Sequence, residues 1–473
     1  MFRIRLAWPM YVLIVSAALA GCRTNSQLGS QNQNNGNSSV VLAITDTPPS
    51  TVSVLSAEVT LTGATLIPGN VSLFSGSATV ELTRLQTDIA YLATATNIPA
   101  GNYTGITLTF ANPSLTIEND TNLAIGTCNV ALICTMPPTA TANLSTTVPL
   151  TGFTIASAST TGLLIDVNLD NLLTAAMGED FSAGTTVRPF TPAGLGAPPV
   201  GAEDVVGQVG SLNLAGNSFT LTNATGTYSL KVDSTSTFFQ FPMSVCSTEV
   251  FACLQNNQIL SVDIGIQPDG SILARNILFE DADSSDIEVE GMITSTNAAS
   301  QQFDIVIQTM SATVSGLSIG QPITAQYSLT QTLFDLDHIH VDNLPMSTAG
   351  FVFSTPADMV VGQQVSIRRN SASTSSQINA DRVRLRNTRV TATIQRGLPN
   401  LILVNLPSLF LGHGAITSIT ALTSLTPPTI YYEVGQNINS SNIVVGEQVS
   451  VRGPLFNVSG GRTQVTTKVV VKP

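Results

Sequence analysis

Charge is the scarcest resource of this chain: only 10% of its residues are Asp, Glu, Lys or Arg, and 18 basic side chains face 30 acidic ones. Nucleic-acid binding needs clustered Lys and Arg, so a net charge of −12 without a basic run excludes it as an expectation. Aromatics make up 5%, and the single tryptophan, Trp8, sits in the first ten residues. A broad ring-stacking platform is therefore not expected. Scarce charge does not mean disorder, because disordered chains combine high charge with low hydrophobicity. Here 43% of residues are hydrophobic and the mean hydropathy is +0.28. After residues 6–20 no long apolar run follows, so no ordinary transmembrane helix is expected.

What the chain does have is Ser, Thr, Val, Gly and Asn in place of the straight-chain helix formers. That mixture suits strands joined by polar turns. A length of 473 residues exceeds one ordinary core and implies several domains. The expected class is all-β.

Arg3 and Arg5 form a positive start, residues 6–20 an apolar stretch, and Leu19-Ala20-Gly21-Cys22 follows. The pattern resembles a bacterial lipobox, which implies that residues 1–22 are a lipoprotein signal peptide and that Cys22 is lipidated. Each buried CH₂ of an acyl chain contributes about 0.8 kcal/mol, so lipid rather than charge would hold the protein at a membrane. Residues 23–39 ("RTNSQLGSQNQNNGNSS") are polar and of low complexity. They read as a tether of roughly 20–25 Å root-mean-square reach. Arg23, rather than Asp, after the cysteine favours the outer membrane of a Gram-negative envelope. Four further cysteines form two local pairs, Cys128 with Cys134 and Cys246 with Cys253. In an oxidising compartment such pairs form disulfides.

From residue 40 to 199 short alternations recur, such as Ile106, Leu108 and Phe110, separated by "IPGN" and "IPAGN" turns. The one helical candidate is short, around residues 168–177. A β-sandwich accommodates this pattern. "AITDTPPS", "VELTRLQTD", "NIPAGNYTGITLTF" and "LLIDVNLDNLL" together resemble a domain of unknown function from bacterial lipoproteins over most of residues 40–192. The resemblance implies a transthyretin-like or immunoglobulin-like sandwich and no established activity.

After "GLGAPPVGAED" the chain repeats. "MVVGQQVSIR" (residues 359–368) returns 84 residues later as "IVVGEQVSVR", and "NNQILSVDI" (residues 256–264) is a weaker version. Closing segments "ILARNILFE", "INADRVRLR" and "TQVTTKVVVK" follow them. The opening segments align Gly207 with Gly291 and Phe219 with Phe303. Three units are expected at residues 204–283, 284–387 and 388–473. They resemble a second family of unknown function, a small repeated β-barrel-like module of bacterial lipoproteins. Closing short strands into barrels removes exposed edges that a weakly charged surface cannot protect.

Three segments carry residues with chemistry. "GLSIG" (residues 316–320) matches the G-x-S-x-G elbow, with Asp335 and His338 downstream, but "QPITAQYSL" follows where the elbow needs a helix. "EDADSSD" (residues 280–286) gathers carboxylates but fails the calcium-loop template, so it reads as a solvated acidic linker. "FDLDHIHVDN" (residues 334–343) places His338, His340 and Asp342 at alternate positions, which share a face if extended. The stretch from Thr332 to Gly362 spans 30 residues, against 20 from Thr237 to Asn257 and 17 from Thr429 to Gly446. The histidines thus fall in a connection enlarged only in the middle repeat, where function tends to sit.

These features lead to an N-terminal β-sandwich followed by three β-barrel-like repeats. The expected role is non-catalytic, structural or binding, with lipid anchorage to the membrane. An envelope polysaccharide or protein is the expected partner, and no cofactor is expected. The rival reading is a metal-binding protein or metal-dependent enzyme centred on His338, His340 and Asp342.

Overall fold

Val40-Val41-Leu42-Ala43-Ile44 is apolar at every position, a pattern that fits a strand covered on both faces. In the computed structural model this run lies in β1 (Ser38–Thr47), and all five side chains are buried. The structure describes residues 38–48, 53–136, 141, 143–192, 201–282, 286–336, 351–412, 415–423, 429–433, 436–458 and 461–472. All lie in one unit, Asn35–Pro473; the unit Met1–Asn34, which includes Cys22, lies outside the described residues.

The N-terminal region continues with β2 (Ser53–Ile67), β3 (Val71–Glu81), β4 (Ala90–Ile98), β5 (Gly101–Glu118), β6 (Ile133–Thr135), β7 (Ser145–Ile155), β8 (Thr160–Asn168) and β9 (Thr185–Phe190). One sheet has the order β4-β1-β8-β9, with β1 and β8 parallel; the other runs β3-β2-β5-β6, with β7 also on β5. Val40, Leu42 and Ile44 share a core with Leu61, Ile106 and Leu108 of the facing sheet. On the other side of β1, Val41 and Ala43 join the core of the first repeat. That double burial explains the unbroken apolar run. Around residues 168–177 there is a single helical turn, α1 (Leu169–Leu172), whose first turn Asn168 caps by accepting from the Asn171 N–H. A second turn, α2 (Phe181–Gly184), brings Phe181 onto Phe110 with ring centroids 4.4 Å apart.

The first repeat supplies β10 (Val205–Asn213), β11 (Ser218–Thr222), β12 (Thr227–Lys231), β13 (Phe238–Gln240), β14 (Ile259–Ile266) and β15 (Ile272–Asp281). The second supplies β16 (Glu288–Asn297), β17 (Gln302–Met310), β18 (Pro322–Gln326), β19 (Leu333–Leu336), β20 (Gln364–Arg369) and β21 (Gln377–Leu385). In the first, the order β12-β11-β10-β14-β15 closes into a ring through a parallel β12–β15 pairing, and β13 adds to β15. The second closes identically through β18 and β21, with β19 added to β21.

The third repeat has β22 (Asn387–Arg396), β23 (Asn400–Val404), β24 (Ile419–Leu422), β25 (Ile430–Glu433), β26 (Gln436–Asn437), β27 (Gln448–Val458), β28 (Gly461–Val465) and β29 (Lys468–Val471). Its closing strand is divided in two: β28 pairs with β24, and β29 pairs with β25.

The repeat reaches individual hydrogen bonds. The hydroxyls of Thr237, Thr332 and Thr429 donate to the carbonyls of Ala274 (2.6 Å), Ala380 (2.7 Å) and Thr466 (2.7 Å). Asn257, Gly362 and Gly446 all hold positive φ, at 74°, 88° and 96°, which only Gly and a few polar residues adopt readily. The next side chains, Gln258, Gln363 and Glu447, each accept from the backbone N–H three residues earlier, at 2.9, 2.7 and 2.8 Å. The G-Q/E pair of the repeated motif is thus a turn device.

Candidate functional site

Arg382 and Arg384 in β21 and Arg386 just beyond it alternate, so their side chains leave one face of the chain. All three reach Glu280 at the end of β15, at 2.7, 2.8 and 2.5 Å. Arg382 also meets Glu288 at 2.5 Å, Arg386 lies 3.0 Å from Glu290, and Arg384 grips Asp335 with two nitrogens. Burial alone would push the Glu280 carboxyl up, but the three guanidiniums outweigh it and hold it at about 2. The expectation of a solvated linker at residues 280–286 is corrected for Glu280 and Asp281; residues 283–285 lie outside the described residues. Glu280 is 2% exposed, and Asp281 pairs with Arg368 at 2.9 Å.

A second hub joins the other units. Asp88, from the N-terminal region, receives Lys468 at 2.7 Å and Arg389 at 2.5 Å, both from the third repeat. Lys468 also meets Glu203 at 2.8 Å, while Arg452 binds Asp204 at 2.5 Å and Glu203. Arg84 links the N-terminal region to Glu290 of the second repeat at 2.5 Å and donates to the Asp204 carbonyl at 2.7 Å. Burial would raise the Asp88 carboxyl, but Lys468 and Arg389 hold it well below the usual carboxylate range. Seven of the chain's 18 basic residues are committed to these two hubs. A buried ion pair adds little net stability over an apolar pair, but losing one partner strands a charge in low dielectric.

Beside the second hub lies a cleft of about 380 Å³, within the range of small-ligand sites. Its walls come from β3, the Arg84 turn and β4 on one side, and from β10, β12 and the turn between β11 and β12 on the other. Gln308 and Thr309 of the second repeat complete it. Arg84, Asp88 and Glu203 of the hub are among its lining residues. Tyr91 and Tyr228 are half-buried in its walls, packed against the core of the first repeat.

The residues singled out from sequence fare differently. Cys128–Cys134 and Cys246–Cys253 are both disulfides, each with Cα atoms 5.7 Å apart. Cys22, His338, His340 and Asp342 lie outside the described residues. Among the described residues no group of three or more His, Cys, Asp or Glu side chains is placed to hold a metal ion, and no helix is long and apolar enough to cross a membrane. "GLSIG" forms a turn leading into β18 rather than a helix, and Asp335 is taken by Arg384. Gly320 has φ of 81°, and its carbonyl accepts from the Thr116 hydroxyl at 2.6 Å, so this turn docks the second repeat on the N-terminal sheets.

The hubs and the cleft were not foreseen. The alternation in "DRVRLR" could have signalled three arginines on one buried face. Nothing local marks Glu280, Asp88 or Asp204, whose partners are far away in sequence.

No curated protein and no solved structure matches the chain. Residues 37–183, which run from the start of β1 through most of α2, match the family model of a domain of unknown function, DUF4382.

Proposed function

We propose that this is a lipid-anchored, non-catalytic protein of the outer membrane, a rigid β scaffold that presents the cleft beside its second hub as a binding surface. The observation that carries the reading is the use of charge. In a chain so poor in cations, the buried guanidiniums and carboxylates bind one another across units instead of opening to a substrate. Such pairing favours cohesion and register between the units. The tether at residues 23–39 then lets the scaffold stand off the membrane, with an envelope polysaccharide or protein as partner. Metabolic labelling with palmitate tests the anchor. Label in the wild-type outer-membrane fraction that vanishes in Cys22→Ala supports it, and label persisting in Cys22→Ala overturns it.

The metal-binding reading keeps one observation in its favour. The connection holding His338 and His340 corresponds to the one that the Cys246–Cys253 disulfide closes in the first repeat. This position in the fold therefore accepts elaboration, and an imidazole pair there is half of a metal site.

A further inference from the structure

We infer that the cleft beside the second hub takes an uncharged, polyhydroxylated ligand, that is, a neutral oligosaccharide. This rests on the binding-scaffold reading and specifies its ligand. Charge selects first. Arg84, a cation of the lining, is committed to Glu290 and the Asp204 carbonyl. Asp88 and Glu203 are held by Lys468, Arg389 and Arg452. Glu81 accepts from the Ala57 and Arg84 N–H groups and from the Thr83 hydroxyl. Lys231, which also lines the cleft, is exposed and shares its charge with Asp269 at 3.1 Å. An incoming anion would therefore meet carboxylates, an occupied guanidinium and an ammonium shared with Asp269. An incoming cation would meet carboxylates already paired with cations or, at Glu81, already hydrogen-bonded.

What the cleft does offer is uncharged hydroxyl surface together with apolar surface. Ser77 and Thr79 of β3 sit two residues apart, as do Thr227 and Ser229 of β12, so each strand sends two hydroxyls to one side. Thr79 shares a hydrogen bond with Thr60 at 2.9 Å and Thr227 one with Thr222 at 3.0 Å, and each hydroxyl keeps acceptor capacity. The two strands belong to different units and line the same space. Phe74, Leu92, Tyr91 and Tyr228, all half-buried, also line the cleft and add apolar surface to it. Tyrosine presents an apolar ring with a polar tip, which suits the C–H faces and hydroxyl edges of a sugar. Two tyrosines in a cleft need no broad aromatic platform, so the scarcity of aromatics is no obstacle.

The test is calorimetric titration of the full chain, solubilised in detergent. The probes are neutral gluco-, manno-, galacto- and xylo-oligosaccharides of two to six units, with uronic-acid oligomers of equal length. Ser229 is an exposed position of β12, so Ser229→Trp fills the cleft without entering a core; Ser229→Thr keeps the hydroxyl. Thermal unfolding checks that both variants fold. The expected result is binding of a neutral series, weakened at least about tenfold by Ser229→Trp and kept by Ser229→Thr. Three results overturn the inference: no neutral oligomer bound, only uronic acids bound, or equal binding by Ser229→Trp. Because binding is read on the solubilised chain, its failure is separate from failure of the anchor, which palmitate labelling reports.

Discussion

Arg386 donates to Glu280 at 2.5 Å across 106 positions of sequence, from the first residue after β21 to the end of β15. Arg386 is 1% exposed and Glu280 2%. The first and second repeats are thus joined by charges that neither could bury alone.

The hub and its spokes should respond unequally. Glu280→Gln leaves three guanidiniums beside a neutral amide and is expected to cost about 3–5 kcal/mol. Arg384→Met removes one of three cations and leaves Arg382 and Arg386 on Glu280, so its cost should be smaller. Urea unfolding of the two variants, followed by fluorescence or circular dichroism, measures the difference. Equal costs would contradict the hub.

Acid should dissolve the hub in a defined window. The folded pKa of Glu280 is about 2, below its ordinary 4.5. A depressed carboxylate stabilises fully above its unfolded pKa and loses that contribution as pH falls through the folded one. The loss attributable to Glu280 is therefore expected between about pH 4.5 and 2. Glu280→Gln should flatten the melting-temperature profile over that interval.

Glu179 behaves oppositely. It is 2% exposed, accepts from the Thr141 hydroxyl at 3.1 Å, and burial raises its carboxyl to about 7. A raised carboxyl favours the fold below the unfolded pKa and loses that advantage as pH rises through the folded value. Glu179→Gln, which stays neutral, should have little effect at pH 4 and should raise the melting temperature at pH 8. A melting-temperature series across that range decides it.

The repeat turns give a test of backbone strain. A Cβ at Gly446 would meet nothing within 4 Å, so Gly446→Ala isolates the cost of φ at 96°. That cost is expected to be about 1–2 kcal/mol. Gly446→Asn should cost less, since Asn257 holds the equivalent turn in the first repeat at 74°. Chemical unfolding ranks the two.

Local rules made the repeats legible. The Gly-Gln turn, the Thr before the added parallel strand and the alternation of apolar residues are each satisfied within a few residues, and each recurs. Strand closure could be expected because weakly charged edges need cover. The hubs were hidden for the converse reason. "EDADSSD" has the composition of a solvated run, and only folding brings Arg382, Arg384 and Arg386 onto Glu280. Likewise Asp88 lies in a polar stretch whose cations, Arg389 and Lys468, come from the far end of the chain. The cleft is a property of their meeting and has no motif of its own.

The histidine insertion offers a separate experiment. If His338 and His340 bind a metal, zinc, copper or nickel should raise the wild-type melting temperature, and His338→Ala/His340→Ala should abolish the rise. No response in the wild type would remove the metal reading.

The most direct measurement of the central claim is scanning calorimetry of the wild-type chain beside Asp88→Asn. If buried charge fastens the β units into one body, the wild type unfolds in a single cooperative transition, and Asp88→Asn splits it by removing the carboxylate that Lys468 and Arg389 share. Several resolved transitions in the wild type, unchanged by Asp88→Asn, would contradict it.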